Sequence, residues 1–319
     1  MKVKPRTYGR GSALILVIFI TALLGGIVVS TLFLIKSDIQ KQRTQFYGVQ
    51  VDALANQALS FGAHPQIMRD DPLLQYVSED GFESYSVEIT TEDAKLNINA
   101  VLARGDKALL RRLFEYWGMD TDAAQALADA MSDWVDEDDG EQLNGAERER
   151  YEQLGFTDRP YNRFFQSIPE MQLVLGMGDL AALKPDWQQY FTIYGDGLLD
   201  IYETSLDLLI SGAEVEESQA IQFQTTVRGG DDILGTEDDV TFEKISQALG
   251  SLSISRKKPN YNTISGRFKS GSTTRRVHCV AKIAITEKEI TTVIEQRNNG
   301  PVILFQEEKF RDTFSPTQK

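Results

Sequence analysis

No position between Ser12 and Ile35 carries a charge: 24 consecutive residues run SALILVIFITALLGGIVVSTLFLI. At the helical rise the run reaches about 36 Å, enough to cross the hydrocarbon core of a bilayer. A secretory signal has a shorter apolar core followed by a small-residue cleavage site; here the notable small residue, Gly11, stands before the run. The helical pattern does not end at Lys36. The stretch KSDIQKQRTQFYGVQVDALANQALSFG has no proline and stays helix-compatible to about Ser60, with Gly62 and Pro65 as the stop. The pattern predicts one helix over 12–60, half suited to lipid and half to water. Gly25-Gly26 either loosens it mid-span or lets another helix pack closely.

The period then changes to two. Tyr85, Val87 and Ile89 share one face of a half-buried strand, and TTEDAKLNINA after it reads as a turn and a short returning strand. From Asp106 to about Leu249 the period is helical. Leu109, Leu110, Leu113 and Phe114 form one stripe, Ala123, Leu127, Ala130, Met131 and Trp134 another, with acidic loops between helices. Alternation returns after Asn260: Val277, Cys279, Ala281, Ile283 and Ile285 alternate with Arg276, His278 and Lys282. Residues 289–295, Asn298-Asn299-Gly300 and PVILFQE read as a hairpin. The order is that of an α+β chain, a long N-terminal helix plus antiparallel sheet with a large all-α domain inserted between strands. The divisions are 1–11 ahead of the span, 12–35 for the span, 36–99 for the rest of the helix and the first strands, 100–255 for the insertion and 256–319 for the returning strands.

Charge sharpens this picture. The 319 residues carry a net charge of -14; losing Lys2, Lys4, Arg6 and Arg10 with the first eleven residues would take it to -18. That basic flank holds the N-terminus in the cytoplasm and sends everything after Lys36 outward, into the periplasm of a bacterial cell. A body so acidic repels phosphate backbones, which argues against nucleic acid as a partner, and it invites hard cations. Cys279 is the one cysteine, so stability must come from the core or from metal. Residues 133–152 hold nine acids and two bases, and residues 256–286 hold eight Lys or Arg and no acid. Two solvated faces would explain this, as would electrostatic docking within the chain or with a neighbour.

Two acidic clusters have the composition of a calcium site. One is Asp231, Asp232, Thr236, Glu237, Asp238 and Asp239 in the glycine-bearing loop GGDDILGTEDDV; the other is Asp133, Asp136, Asp138, Asp139 and Glu147. Calcium takes about six to eight oxygens from a flexible loop. Neither cluster has the EF-hand spacing, and a solvated acidic loop has the same composition. LDLLISGAEVEESQAIQF resembles half of a helix-hairpin-helix unit, but Glu214, Glu216 and Glu217 would repel phosphate, which favours packing. There is no GxSxG, HExxH or P-loop. His64 and His278 lie far apart, Cys279 falls on an apolar face, and Trp117, Trp134 and Trp187 suit the core of the helical region.

Arg10-Gly11-Ser12-Ala13-Leu14-Ile15-Leu16 resembles a type IV prepilin leader junction. The resemblance implies cleavage after Gly11 by a prepilin peptidase and methylation of Ser12 as the new N-terminus. Pilins usually carry a glutamate four residues beyond that terminus, able to neutralise the buried amine of the subunit ahead; this chain has Leu16 there. A charge at bilayer depth is costly unless paired, so its loss fits a subunit with none ahead of it. The blocks AKLNINA, MSDWVDEDDGEQLNGAERERYEQL, PYNRFFQSIPEMQLVLGM and DGLLDIYETSLDLLISG with ESQAIQF, in that order, resemble the general secretion pathway protein K family, the large minor pseudopilins of type II secretion. The likeness covers nearly the whole chain. It implies a pilin-like fold carrying the helical insertion, and assembly at the pseudopilus tip with the I, J and H minor pseudopilins on the major pseudopilin filament. It also implies a single-pass inner-membrane anchor with a periplasmic body, structural calcium, and no enzymatic activity in the mature protein. An insertion over 100–255 would collide with a subunit stacked above it; only a filament end leaves the space. The rival readings are a minor pilin of a type IV pilus and a membrane-tethered helix-hairpin-helix module.

Overall fold

A computed structural model describes residues 11–138, 140, 142–232, 234–236, 238–297 and 299–312. Its first element, α1 (Gly11–Ala63), is an unbroken helix of 53 residues, about 80 Å long. Leu14 to Ile35 are exposed all round, and Gly25 and Gly26 face open space within an uninterrupted helix. Among the described residues one helix, over Leu14–Ala63, is long and apolar enough to cross a membrane.

The sheet follows. β1 (Gln75–Val77) and β2 (Glu83–Thr90) precede a helical region; β7 (Thr274–Ile283), β8 (Thr286–Arg297) and β9 (Gly300–Asp312) follow it. Between them lie β3 (Leu96–Asn97), α2 (Ile98–Ala103), α3 (Lys107–Tyr116), α4 (Thr121–Val135), α5 (Arg148–Gln153) and α6 (Met177–Leu183). After these come β4 (Phe191–Thr192), β5 (Leu199–Asp200), α7 (Leu206–Ala213), α8 (Glu217–Val227), α9 (Ile245–Ser251), α10 (Tyr261–Ser265) and β6 (Phe268–Lys269). The large sheet is antiparallel throughout, in the order β1-β2-β7-β8-β9.

Small residues set the distance between helix and sheet. Val51, Ala55 and Ala58 of α1 are buried against Tyr85, Val87 and Ile89 of β2 and Val277, Cys279, Ala281 and Ile283 of β7. The period-two pattern predicts these faces correctly. Ile285 departs from it: it is half-buried in the two-residue turn that joins β7 to β8, where Ala284 adopts φ 53°. Gly62 is the point of closest approach. A Cβ there would lie 2.4 Å from Val277 Cγ1 and 2.6 Å from Val87 Cγ1. The Cys279 thiol donates to Ala55 O at 3.6 Å, and burial pushes its pKa up to about 11, which makes it structural rather than nucleophilic.

Two cations from the sheet tie the helix down. Lys288 is 1% exposed yet charged, bonded to Asp52 of α1 and, at 2.7 Å, to Glu308 of β9. Arg275 donates to His64 O at 2.7 Å and to Ile67 O. These carbonyls lie just past the negative end of a helix that has no basic residue in its own last turn.

The helical region has a separate core, with Phe114, Trp134, Trp187 and Phe223 among its fully buried side chains. Trp117 sits at its margin and donates to Asp207 Oδ2 at 2.8 Å. In the α4 stripe Ala124 is buried and Ala123 exposed. The region is not wholly helical: β3 pairs with β4 and β5 with β6, each a parallel contact of two residues, too short for a periodic signal. Leu96–Asn97 therefore does not return to the large sheet. The Asn97 side chain accepts from Ala100 N at 3.1 Å and caps α2, which turns the chain into the helical region at once.

The basic run finds its counter-charges inside the chain. Arg267 binds Asp106 at 2.7 Å and Glu214 at 3.0 Å, Lys269 binds Asp93 at 2.9 Å, and Arg276 binds Glu92 at 2.6 Å. These acids lie outside the 133–152 run.

The close contact at Gly62 makes a direct prediction. Gly62→Ala should destabilise the helix–sheet core by about 1–3 kcal/mol through overpacking against two valines, read as a lower urea midpoint for the full chain in detergent. Gly48→Ala, with nothing near it, should not be destabilising.

Candidate metal site in the helical region

α4 ends at Val135, and its last turn carries Asp133, with Asp136 as the C-cap. The i, i+3 spacing puts the two carboxylates on one face. The chain then loops out and returns to Glu147 at the head of α5. Carboxylate oxygens of Asp133, Asp136 and Glu147 lie within 4.8 Å of one another. The loop closes on Asp133 itself, which accepts from Ala146 N at 2.8 Å and Gln142 N at 3.2 Å. Gly145 is needed for that closure, since a Cβ there would lie 1.8 Å from Asp133 Oδ2.

The electrostatics are those of a cation-accepting cage. Asp133 and Glu147 are buried. Burial, with Asp136 and Asp129 nearby, pushes the Asp133 carboxyl up to about 6 despite its two backbone donors. Burial and the charge of Asp138 also raise Asp136, whose Oδ1 is buried without a hydrogen-bond partner among the described residues. A cluster of hard, desolvated oxygen donors carrying excess negative charge suits calcium. Asp129, one helical turn before Asp133, adds to the field while bound to Lys107 at 2.5 Å. The sequence reading passed over it, though its i, i+4 spacing to Asp133 was visible. Asp138 is exposed and accepts from Gly140 N at 2.8 Å, outside the three-carboxylate group; Asp139 lies outside the described residues.

The second acidic loop is organised differently. Asp231 and Asp232 are exposed. Asp238 accepts from Thr236 Oγ1 at 2.8 Å and Gly230 N at 2.7 Å, bonds that hold its carboxyl below the ordinary value. Asp239 accepts from Gly235 N at 2.6 Å. Glu237 lies outside the described residues. Among those described, three carboxylates converge at the first cluster and not at this loop.

The remaining candidates fall into structural places. Gly11 is the first residue of α1, and the residues ahead of it lie outside those described. The α7–α8 hairpin turns at Glu214, φ 55°, whose carboxylate is held by Arg112 at 2.7 Å and Arg267 at 3.0 Å. The turn is thus fixed by ion pairs within the helical region. His278 Nδ1 lies 3.0 Å from Thr291 Oγ1, and His64 Nδ1 accepts from Gln66 N at 3.3 Å.

Comparison with known proteins adds family information to this geometry. The family described as type II secretion system (T2SS), protein K, matches residues 94–185. Type II secretion system protein K of Pectobacterium carotovorum subsp. carotovorum is 25% identical over 197 residues, 54% of this chain and 60% of that protein. The protein of the same name from Klebsiella pneumoniae is 32% identical over 127 residues, 37% of this chain and 38% of that protein. The chain thus spans less than two thirds of either relative. A crystal structure of the GspK–GspI–GspJ complex from enterotoxigenic Escherichia coli has a chain that matches this fold with a TM-score of 0.58 at 15% identity, covering 86% of this chain and 98% of that one. At that identity the likeness speaks for the fold alone.

The raised Asp133 and Asp136 carboxyls set a pH dependence. Metal-free, these carboxyls bind more protons folded than unfolded between about pH 4 and 6, as does buried Asp200, also pushed up to about 6, so their contribution to stability falls as pH rises through that window. Thermal melting followed by tryptophan fluorescence in chelator should show this decline, and Asp133→Asn should make it shallower, with Asp200 supplying the remainder. Calcium at neutral pH should raise the wild-type midpoint and leave that of Asp133→Asn unchanged.

Proposed function

We propose that this chain, similar to type II secretion system protein K in sequence, belongs to that family and is a minor pseudopilin that sits at the tip of the pseudopilus and nucleates its assembly. One observation carries the reading: a single helix whose first half is apolar and bare on every side continues into a half that seats a sheet. Such a helix suits lipid first and the helices of sister subunits later, because both are apolar surroundings that a charge-free rod can exchange at little cost. On this reading a prepilin peptidase cuts after Gly11 on the cytoplasmic side, Ser12 becomes a methylated N-terminus, and the body stands in the periplasm on a single-pass inner-membrane anchor.

The place at the tip rests on two further features. Leu16 has no charge with which to neutralise the terminus of a subunit ahead. The helical region, inserted between β2 and β7, adds bulk that a subunit in mid-filament would have to accommodate. The partners proposed are the I and J minor pseudopilins, the H minor pseudopilin and the major pseudopilin filament. The role is mechanical and not enzymatic: a tip complex starts a filament whose growth moves exported proteins toward the outer membrane.

Calcium fits the residues present. Asp133, Asp136 and Glu147 would hold it; the loop of Asp231, Asp232, Thr236, Glu237, Asp238 and Asp239, the first of the two sets read from the sequence, brings no three of its described carboxylates together. Bound there, the ion would neutralise buried negative charge and fix the loop between α4 and α5 in a chain without disulfides.

Gly11→Leu tests the whole chain of reasoning. Expressed in a deletion strain, it should keep the mass of the uncut precursor, stay out of pseudopili and fail to restore secretion, while the wild-type gene restores all three. A shortened, assembled Gly11→Leu product, or rescue of twitching in place of secretion, would refute the reading. So would many copies of this subunit along each filament.

A further inference from the structure

The two cores do not merge. One lies between α1 and the sheet, the other within the helical region, and they share no buried apolar residue. The chain passes between them twice, after β2 and before β7, and polar groups bind these crossings to each other. The Asp93 carboxylate, 1% exposed, accepts from Ser272 Oγ at 2.7 Å, Thr273 N at 3.0 Å, Thr274 N at 3.1 Å and Lys269 Nζ at 2.9 Å. Burial alone would raise its pKa; the bonds from Lys269 and Ser272 outweigh that and hold it below the ordinary value. Thr91 Oγ1 donates to Thr274 O at 2.9 Å and meets Ser272 Oγ. Glu92 adds an ion pair to Arg276 at 2.6 Å. Gly195, at φ 81°, lies where a Cβ would sit 2.7 Å from Asp93 Oδ1.

Two further contacts flank this knot. Arg69, between α1 and β1, pairs with Glu203 of the helical region, and Gly235 rests on the methylene carbons of the same arginine. Toward the other edge, Phe305 of β9 meets Tyr194 with ring centroids 5.9 Å apart. The knot lies where β2 ends and β7 begins, and the Phe305 contact adds an attachment on the edge strand β9.

We propose that Asp93 is a positioning residue: it clamps the two crossings together so that the helical region keeps one orientation on the sheet and both move as a single body. A polar interface between two cores ordinarily permits relative motion. Here motion would strip a buried carboxylate of its donors, and an unpaired buried charge is among the costliest states a protein can adopt. The lateral contacts block the rotation that a two-strand hinge would otherwise allow. The consequence for assembly rests on the pseudopilin reading: a head so fixed would pass on a push from below without swinging.

The test uses the full chain in lipid nanodiscs, with spin labels introduced by Gln222→Cys on α8 and Lys282→Cys on β7, both exposed. Cys279 is buried and stays unlabelled. Double electron–electron resonance should give one narrow distance distribution. Asp93→Ala should broaden it about twofold or more, and Asp93→Asn, which keeps an acceptor but loses the charge for Lys269, should fall between. An unchanged width in Asp93→Ala, or a broad distribution in the parent, overturns the clamp. Should Asp93→Ala lose its near-ultraviolet tryptophan signal, Thr91→Val combined with Ser272→Ala carries the same expectations. The distance is read on the isolated chain, so it stands apart from any secretion outcome. Normal secretion by a strain lacking the protein would remove the pseudopilin reading and leave the clamp.

Discussion

The structure depends on how closely the sheet can approach one helix. α1 has no side chain larger than a methyl group at Ala55, Ala58 and Gly62 along its buried stripe, and Val87 and Val277 fill the space this leaves. A single helix can stabilise a five-stranded sheet only if the contact is intimate, because the area buried per residue is small. Lys288 and Arg275 reinforce that seam with charge. One reaches Asp52 on the helix flank, and the other satisfies carbonyls where the helix gives out. The upper half of α1 is thus held by packing and ion pairs, which frees its lower half to remain wholly apolar.

That division explains why the helical region can be so large without disturbing the rest. It has its own core of aromatic and aliphatic side chains and is attached by polar bonds. The strongly acidic composition is compatible with folding in part because three cations of the 256–286 segment are spent inside. Arg267, Lys269 and Arg276 each neutralise a buried or half-buried acid that would otherwise carry the full cost of desolvation. Asp133, Asp136 and Glu147 stand apart from these pairs: their carboxylates converge in a loop that closes on Asp133.

Much of this was legible beforehand because it follows from short-range periodicity. The charge-free run, the alternation of Val277, Cys279, Ala281 and Ile283, and the stripe Leu109, Leu110, Leu113 and Phe114 each describe one face of one element, and a face is a local property. The ordered blocks of similarity to protein K are likewise read along the chain. The pairs β3–β4 and β5–β6 were not legible, since two residues carry no period. The turn at Ala284 was missed because Ile285 continues the alternation that the backbone has already abandoned.

By itself, then, the sequence determined the class of the long periodic segments, the extent of the apolar rod and the identity of the acidic clusters. Only the tertiary structure decided which carboxylates converge. Asp133 and Glu147 meet because Gly145 lets a loop close, whereas Asp238 and Asp239 turn to the amides of their own loop. It also decided that Asp93, an unremarkable acid in a turn, joins two strands 181 residues apart. The physical reason is the same in both cases. Hydrophobic pattern is set by neighbours in sequence, but the partner of a buried charge is set by whichever distant backbone the fold brings beside it.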